Sequence, residues 1–153
     1  MTPPLPASSA GPAPWAMRLA IDVDIPSDVR FIERVVELVT RQCRDSALPA
    51  RHCSLNVPVA LSEALSNAIL RGNREDPTKH VQVHAELNEG GLVVEVADEG
   101  GGFDVARHSV DPTTAENIVR EDGRGIFLMH RLMDLVESFH DGRNVVRLTL
   151  HRQ

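Results

Sequence analysis

Eight of the chain's ten glycines fall between Gly90 and Gly142, and five of those eight stand in two clusters, Gly100-Gly101-Gly102 and Gly123-Arg124-Gly125. Glycine weakens regular elements, so this concentration demands places where a bare backbone is required. A backbone without Cβ atoms can lie against a flat ring or wrap its N–H groups around phosphate oxygens. Gly125, read as opening a helix, adds unsatisfied N–H groups and the positive end of a helix dipole, both of which favour an anion. Together these features point to a nucleotide, although either cluster alone is equally what ordinary turns require. The clusters also divide the chain, because the roughly twenty residues between them are polar and weakly periodic. They read as a mobile loop with one short helical turn around Thr114 to Arg120.

The elements on either side follow from spacing. Residues 1–16 hold five of the ten prolines and read as a flexible leader that buries too little apolar surface to order, so the domain is taken as 17–153. Leu19, Ile21 and Val23 alternate with polar or small residues, which predicts an edge strand ending at Pro26. Ser27 or Asp28 is the expected N-cap of a first helix, whose Val29, Ile32, Val35, Val36 and Val39 recur at helical spacing through about Asp45. A second helix is expected from Asn56 as N-cap, with Pro58 in its first turn, through Leu70 to a stop at Gly72. Its apolar stripe leaves Glu63 and Asn67 one above the other on a neighbouring face.

Lys79 to Leu87 and Leu92 to Ala97 alternate as two strands of a hairpin, with Val81, Val83, Ala85, Leu92, Val94 and Val96 inward. Ile126 to Met133 gives a third helix, and two last strands flank an Asp141-Gly142 turn. The expected fold class is an α+β two-layer sandwich, a mixed but mostly antiparallel sheet with helices on one face.

Composition removes several functions. With 22 acidic against 16 basic residues and a net charge of −6, the chain lacks the attraction that drives direct nucleic-acid binding, and 3% aromatics with no Tyr give no base-stacking platform. No apolar run reaches the roughly 18 residues that a membrane span needs, and the start lacks the pattern of a secretory signal. Cys43 and Cys53 are too few for a disulfide framework and fit a reducing, cytoplasmic setting as buried, idle thiols. The seven histidines have no metal-ligand spacing, with His80 and His84 expected on the solvent face of a strand. Met129 and Met133 read as core or loop-facing packing.

The common nucleotide motifs are missing: there is no G-x-x-x-x-G-K-[ST], no G-x-G-x-x-G after a strand and no protein-kinase signature set. What remains is Glu63-x-x-x-Asn67-Ala68 on a helix, Asp98-x-Gly100-x-Gly102 after a strand and Gly123-x-Gly125 before a helix. In this order they resemble the GHKL ATPase superfamily, whose fold is the Bergerat ATP-binding sandwich. The strings EALSNAILRGN, DEGGGFD and GRGIFLMHRLMD are most similar to anti-sigma-factor serine/threonine kinases of the RsbW type, over about Met17 to His151.

The resemblance implies ATP and Mg²⁺, with Asn67 as the metal ligand, since an amide oxygen suits an ion that keeps several waters and bridges phosphates. Glu63 is implied as general base toward an attacking hydroxyl. Asp98 would accept a hydrogen bond from the adenine amine, with Gly100 and Gly102 letting base and sugar approach; read alone, Asp98 is equally a turn former. Asp104 to Asp122 corresponds to an ATP lid, and Gly123 and Gly125 would cradle phosphates, with Arg124 adding charge or pointing to solvent. The chain departs from the pattern at Arg71, where relatives carry His, and at Arg143-Asn144, where relatives often have Gly-Thr. The implied function is a protein kinase that phosphorylates a Ser or Thr of a STAS-domain anti-anti-sigma partner and sequesters a sigma factor, working as a homodimer. The alternative is a nucleotide-binding partner-switching module without phosphotransfer.

Overall fold

The alternating residues ahead of Pro26 form β1 (Leu19–Pro26), with Ile25 buried and Ala20, Asp22 and Asp24 turned to solvent. The structure, a computed structural model, describes residues 18–100 and 121–152. Asp28 accepts a bond from the Arg30 N–H (2.9 Å) and caps a 3₁₀ turn, Val29–Phe31, which leads into α1 (Ile32–Asp45). Ser27, the other candidate cap, is instead buried and donates to the Lys79 carbonyl (2.6 Å).

The second helix is longer than its cap signals predict. Asn56 has helical dihedrals and does not cap; it lies in a π-helical turn, His52–Asn56, that runs directly into α2 (Val57–Asn67). Its side-chain Nδ2 is used elsewhere, donating to the Leu132 carbonyl (2.6 Å). A second π-helical turn, Ala68–Gly72, carries the helix to the expected stop.

β2 (His80–Asn88) and β3 (Gly91–Asp98) pair across a tight turn in which Gly91 has φ +135°, a conformation open to glycine. α3 (Glu121–Leu132) leads to β4 (Leu135–His140) and β5 (Asn144–His151), joined by a turn with Gly142 at φ +70°. The five strands lie in the order β1-β2-β3-β5-β4, and all four pairings are antiparallel, so among the described residues the sheet is not mixed. β1 is an edge strand, as its pattern predicts.

The core lies between the sheet's inner face and the helices. Val81, Val83, Leu87, Leu92, Val94, Val96 and Leu148 meet Val39, Leu61, Leu65, Ile69, Ile126 and Met129, all buried. α2 is the central helix and packs against both α1 and α3. The sheet's other face is wet and charged. One row of it crosses all five strands, Asp22, His84, Glu95, Arg147 and Glu137, each paired with the next. Bonds of 2.6 Å from His84 to Asp22 and 2.7 Å from Arg147 to Glu95 stitch that row together.

Candidate functional site

α2 exposes one face toward α3, and a hollow of about 400 Å³ opens there. Glu63, Ser66, Asn67, Leu70 and Arg71 line it from the α2 side, and Arg124, Gly125 and Leu128 from α3. The spacing explains the convergence, because residues four apart stack on one helix face, and Glu63, Asn67 and Arg71 are such a series. Asn67 is buried and its side-chain nitrogen has no hydrogen-bond partner among the described residues. A buried amide left unpaired costs stability unless something outside the chain completes it. With no internal partner holding its nitrogen, this amide can turn either its nitrogen or its oxygen to the hollow. A hard cation that needs one neutral oxygen and keeps its waters fits that donor.

Gly125 is read differently by the structure than by its sequence context. α3 is already running at Glu121, so Gly123 and Gly125 lie inside the helix and Gly125 does not open it. The N–H of Gly125 therefore belongs to the i→i−4 ladder, whereas Gly123 stands in the first described turn of the helix. The reason for glycine at 125 is close approach: a Cβ there would collide with the Glu63 carboxylate. Arg124 is exposed at the rim.

The C-terminal end of the same helical run leads to Asp98. Gly72 lies against the Asp98 carboxylate so closely that a Cβ on Gly72 would collide with it, and a Cβ on Gly100 would collide with the Gly72 carbonyl. Asp98 is 5% exposed. Its Oδ1 accepts from the Gly100 N–H (2.9 Å) and from Asn144 Nδ2 (3.1 Å). Asn73 ties this end of the site to the sheet: buried, it donates to Ser27 Oγ (2.9 Å) and the His80 carbonyl (3.0 Å) and accepts from the Glu99 N–H (2.8 Å). From Glu63 to Gly72 the helical run is roughly 13 Å long, about the span of an extended nucleoside triphosphate.

Glu63, Asn67, Arg124 and Gly125 therefore meet at one hollow, while Asp98 and Gly100 meet Gly72 at the end of the π-helical turn that follows α2. Gly102 and residues 104–120 of the expected lid fall outside the described residues, as does the leader. The site roles of Gly72, Asn73 and Asn144 have no local signal beyond the helix stop at Gly72 and the departure at Arg143-Asn144, because their partners are distant in the chain.

Other candidates are accounted for by structure. Cys43 and Cys53 are both buried and free, and burial pushes the Cys43 thiol up to about 12 and raises Cys53 as well. Met129 and Met133 are core. His80 and His84 lie on the outer sheet face, hydrogen-bonded to Asp24 and Asp22, both at 2.6 Å. Among the described residues, no helix is long and apolar enough to cross a membrane.

Comparison with known proteins gives a consistent picture. The family model for the histidine kinase-like ATPase domain matches residues 25–150. The chain is 30% identical over 101 residues to the anti-sigma F factor of Clostridium beijerinckii, covering 64% of this chain and 69% of that protein. It is 33% identical over 99 residues to the serine-protein kinase RsbW of Bacillus licheniformis, covering 61% of this chain and 62% of the relative. To the same-named kinase of Bacillus subtilis it is 35% identical over 96 residues, 59% of this chain and 60% of the relative. The matched stretch thus spans about three fifths of each of these two kinases.

Proposed function

Because the chain belongs to the histidine kinase-like ATPase domain family, we propose that it binds ATP along α2 and transfers the γ-phosphoryl group to a serine or threonine of a partner protein. The observation that carries this reading is the hollow itself, where Glu63 and a buried Asn67 with an unpartnered amide nitrogen face Arg124 across the α2–α3 junction.

In this reading Asp98, packed against Gly72 at the end of the helical run, accepts the adenine amine, with Gly100 beside it; the role expected of Gly102 lies outside the described residues. Asn67 would hold Mg²⁺ through its amide oxygen, and a bound ion supplies positive charge to the phosphate oxygens. Arg124 at the rim adds a second positive charge toward the phosphates, beside Gly123 and Gly125. Glu63 takes the proton from the attacking hydroxyl as the new oxygen–phosphorus bond forms and the bond from the γ-phosphorus to the β,γ-bridging oxygen breaks, leaving ADP. The Gly125 backbone limits where the Glu63 carboxylate can sit, which is what a positioned base requires.

The relatives' names, anti-sigma F factor and serine-protein kinase, support a chain that acts on a sigma factor and phosphorylates serine, and the resemblance set out above makes its phosphoacceptor an anti-anti-sigma protein of the STAS type. A phosphate on that partner adds up to about two negative charges, which repel a chain of net charge −6 and release it for its other client. The test is transfer from labelled ATP with Mg²⁺ to candidate STAS-domain proteins, comparing wild type with Glu63→Ala and Asn67→Ala. Serine or threonine labelling that both substitutions abolish is expected. Nucleotide binding with no transfer would replace the kinase by a partner-switching module, and no nucleotide binding at all would overturn both.

A further inference from the structure

We propose that the outward face of α3 is a docking surface for a partner protein that presents a carboxylate next to an apolar side chain, with Arg131 as its anchor. Phe127 and Leu128 stand four and three residues before Arg131 and share its helix face, while Ile126, Met129 and Met133 on the other side are core. The outward face is part apolar and part charged. Leu128 is 37% exposed, Phe127 is half-buried and Arg131 is exposed. The Arg131 guanidinium lies over the Phe127 ring, 5.8 Å from its centroid. Stacking engages the flat face of a guanidinium and leaves its edge N–H groups for a carboxylate, which they meet in pairs.

Charge selects the occupant. The chain has a net charge of −6, yet nothing from Arg124 to Leu132 is acidic. On the outer sheet face the carboxylates have partners: Asp22 bonds His84, Asp24 bonds His80, and Glu95 and Glu137 share Arg147. Arg131 has no ion pair among the described residues. A carboxylate from outside the chain completes it, and the apolar neighbour of that carboxylate reaches Leu128, one helix turn away. A neutral partner would strip water from the guanidinium and leave it unpaired, and a wholly acidic one would leave Leu128 in water.

The test is fluorescence anisotropy of a labelled acidic peptide, Gly-Leu-Glu-Glu-Leu-Asp-Gly, on the full chain without nucleotide. Its comparisons are the amide counterpart, Gly-Leu-Gln-Gln-Leu-Asn-Gly, and the acidic peptide with serine in place of both leucines. Wild type is expected to bind the acidic peptide about tenfold more tightly than the amide one, and about fivefold more tightly than the serine one. Arg131→Gln should abolish the preference for acid. Arg131→Lys should restore only part of it, because an ammonium is not planar, and Phe127→Leu should lower affinity about threefold. Arg41→Gln, at an exposed position of α1, removes the same charge and should change nothing. Thermal melting shows which variants are folded, and the peptide comparison on wild type decides the matter where they are not. No binding by wild type, no preference for the acidic peptide, or equal losses in Arg131→Gln and Arg41→Gln would overturn the proposal. Self-association that Arg131→Gln abolishes in sedimentation would also overturn it, assigning the face to a second copy of the chain. Since no arm contains nucleotide, each outcome leaves the ATP reading above untouched.

Discussion

Gly72 shows how one missing side chain serves the site. Its Cα lies against the Asp98 carboxylate, so Gly72→Ala forces that carboxylate or the helix end to move. The expected cost is about 1–3 kcal/mol of stability from overpacking, read by chemical denaturation, with a loss in ADP affinity if Asp98 meets the base as proposed. Asp98 and Gly100 were legible in the sequence because a strand ending in Asp-x-Gly is a local pattern. Gly72 and Asn144 were not, since each gains its meaning from a neighbour on another element. A helix-stopping glycine and a turn-flanking asparagine look the same whether or not a carboxylate lies beside them.

At the scale of elements, the pairing of α2 with α3 sets where Glu63 sits. Gly125→Ala should stabilise α3 by up to about 1 kcal/mol, because alanine is the better helix former and the atom it meets is the end of a flexible side chain. The same change should lower phosphotransfer by about a hundredfold by displacing the Glu63 carboxylate, so melting temperature and activity move in opposite directions. At the other end of the pair, Asn56→Ala removes the bond to the Leu132 carbonyl at the end of α3 and should cost about 1 kcal/mol in a denaturation midpoint. The sequence placed both helices by their apolar spacing and misjudged both beginnings. Asn56 resembles a cap, yet the chain before it is already helical; Gly125 resembles a helix start, yet the helix is running at Glu121. Cap signals are short and recur inside helices that other contacts extend, whereas a stripe of Leu61, Leu65 and Ile69 has one favourable burial.

Across the whole molecule, the sheet separates a dry face that carries the helices from a wet one that carries charge. His84 on the wet face is held above the ordinary histidine value of 6.5, first by its bond to Asp22 and then by Glu86. A histidine raised on folding adds stability that is complete below its unfolded value and lost as pH rises through its higher folded value. Stability should therefore fall as pH climbs from about 6 past that midpoint, by less than about 1 kcal/mol because the ring is 38% exposed and screened by solvent. His84→Gln should flatten that part of the profile in urea midpoints taken across the range. The five-strand row from Asp22 to Glu137 has a wider effect. Stacking another sheet on it would strip water from several carboxylates at once, a penalty that a single Arg147 does not offset. Self-association and recruitment are expected on the helical side and the sheet's two rims, with this charged flank insulating neighbouring copies from each other.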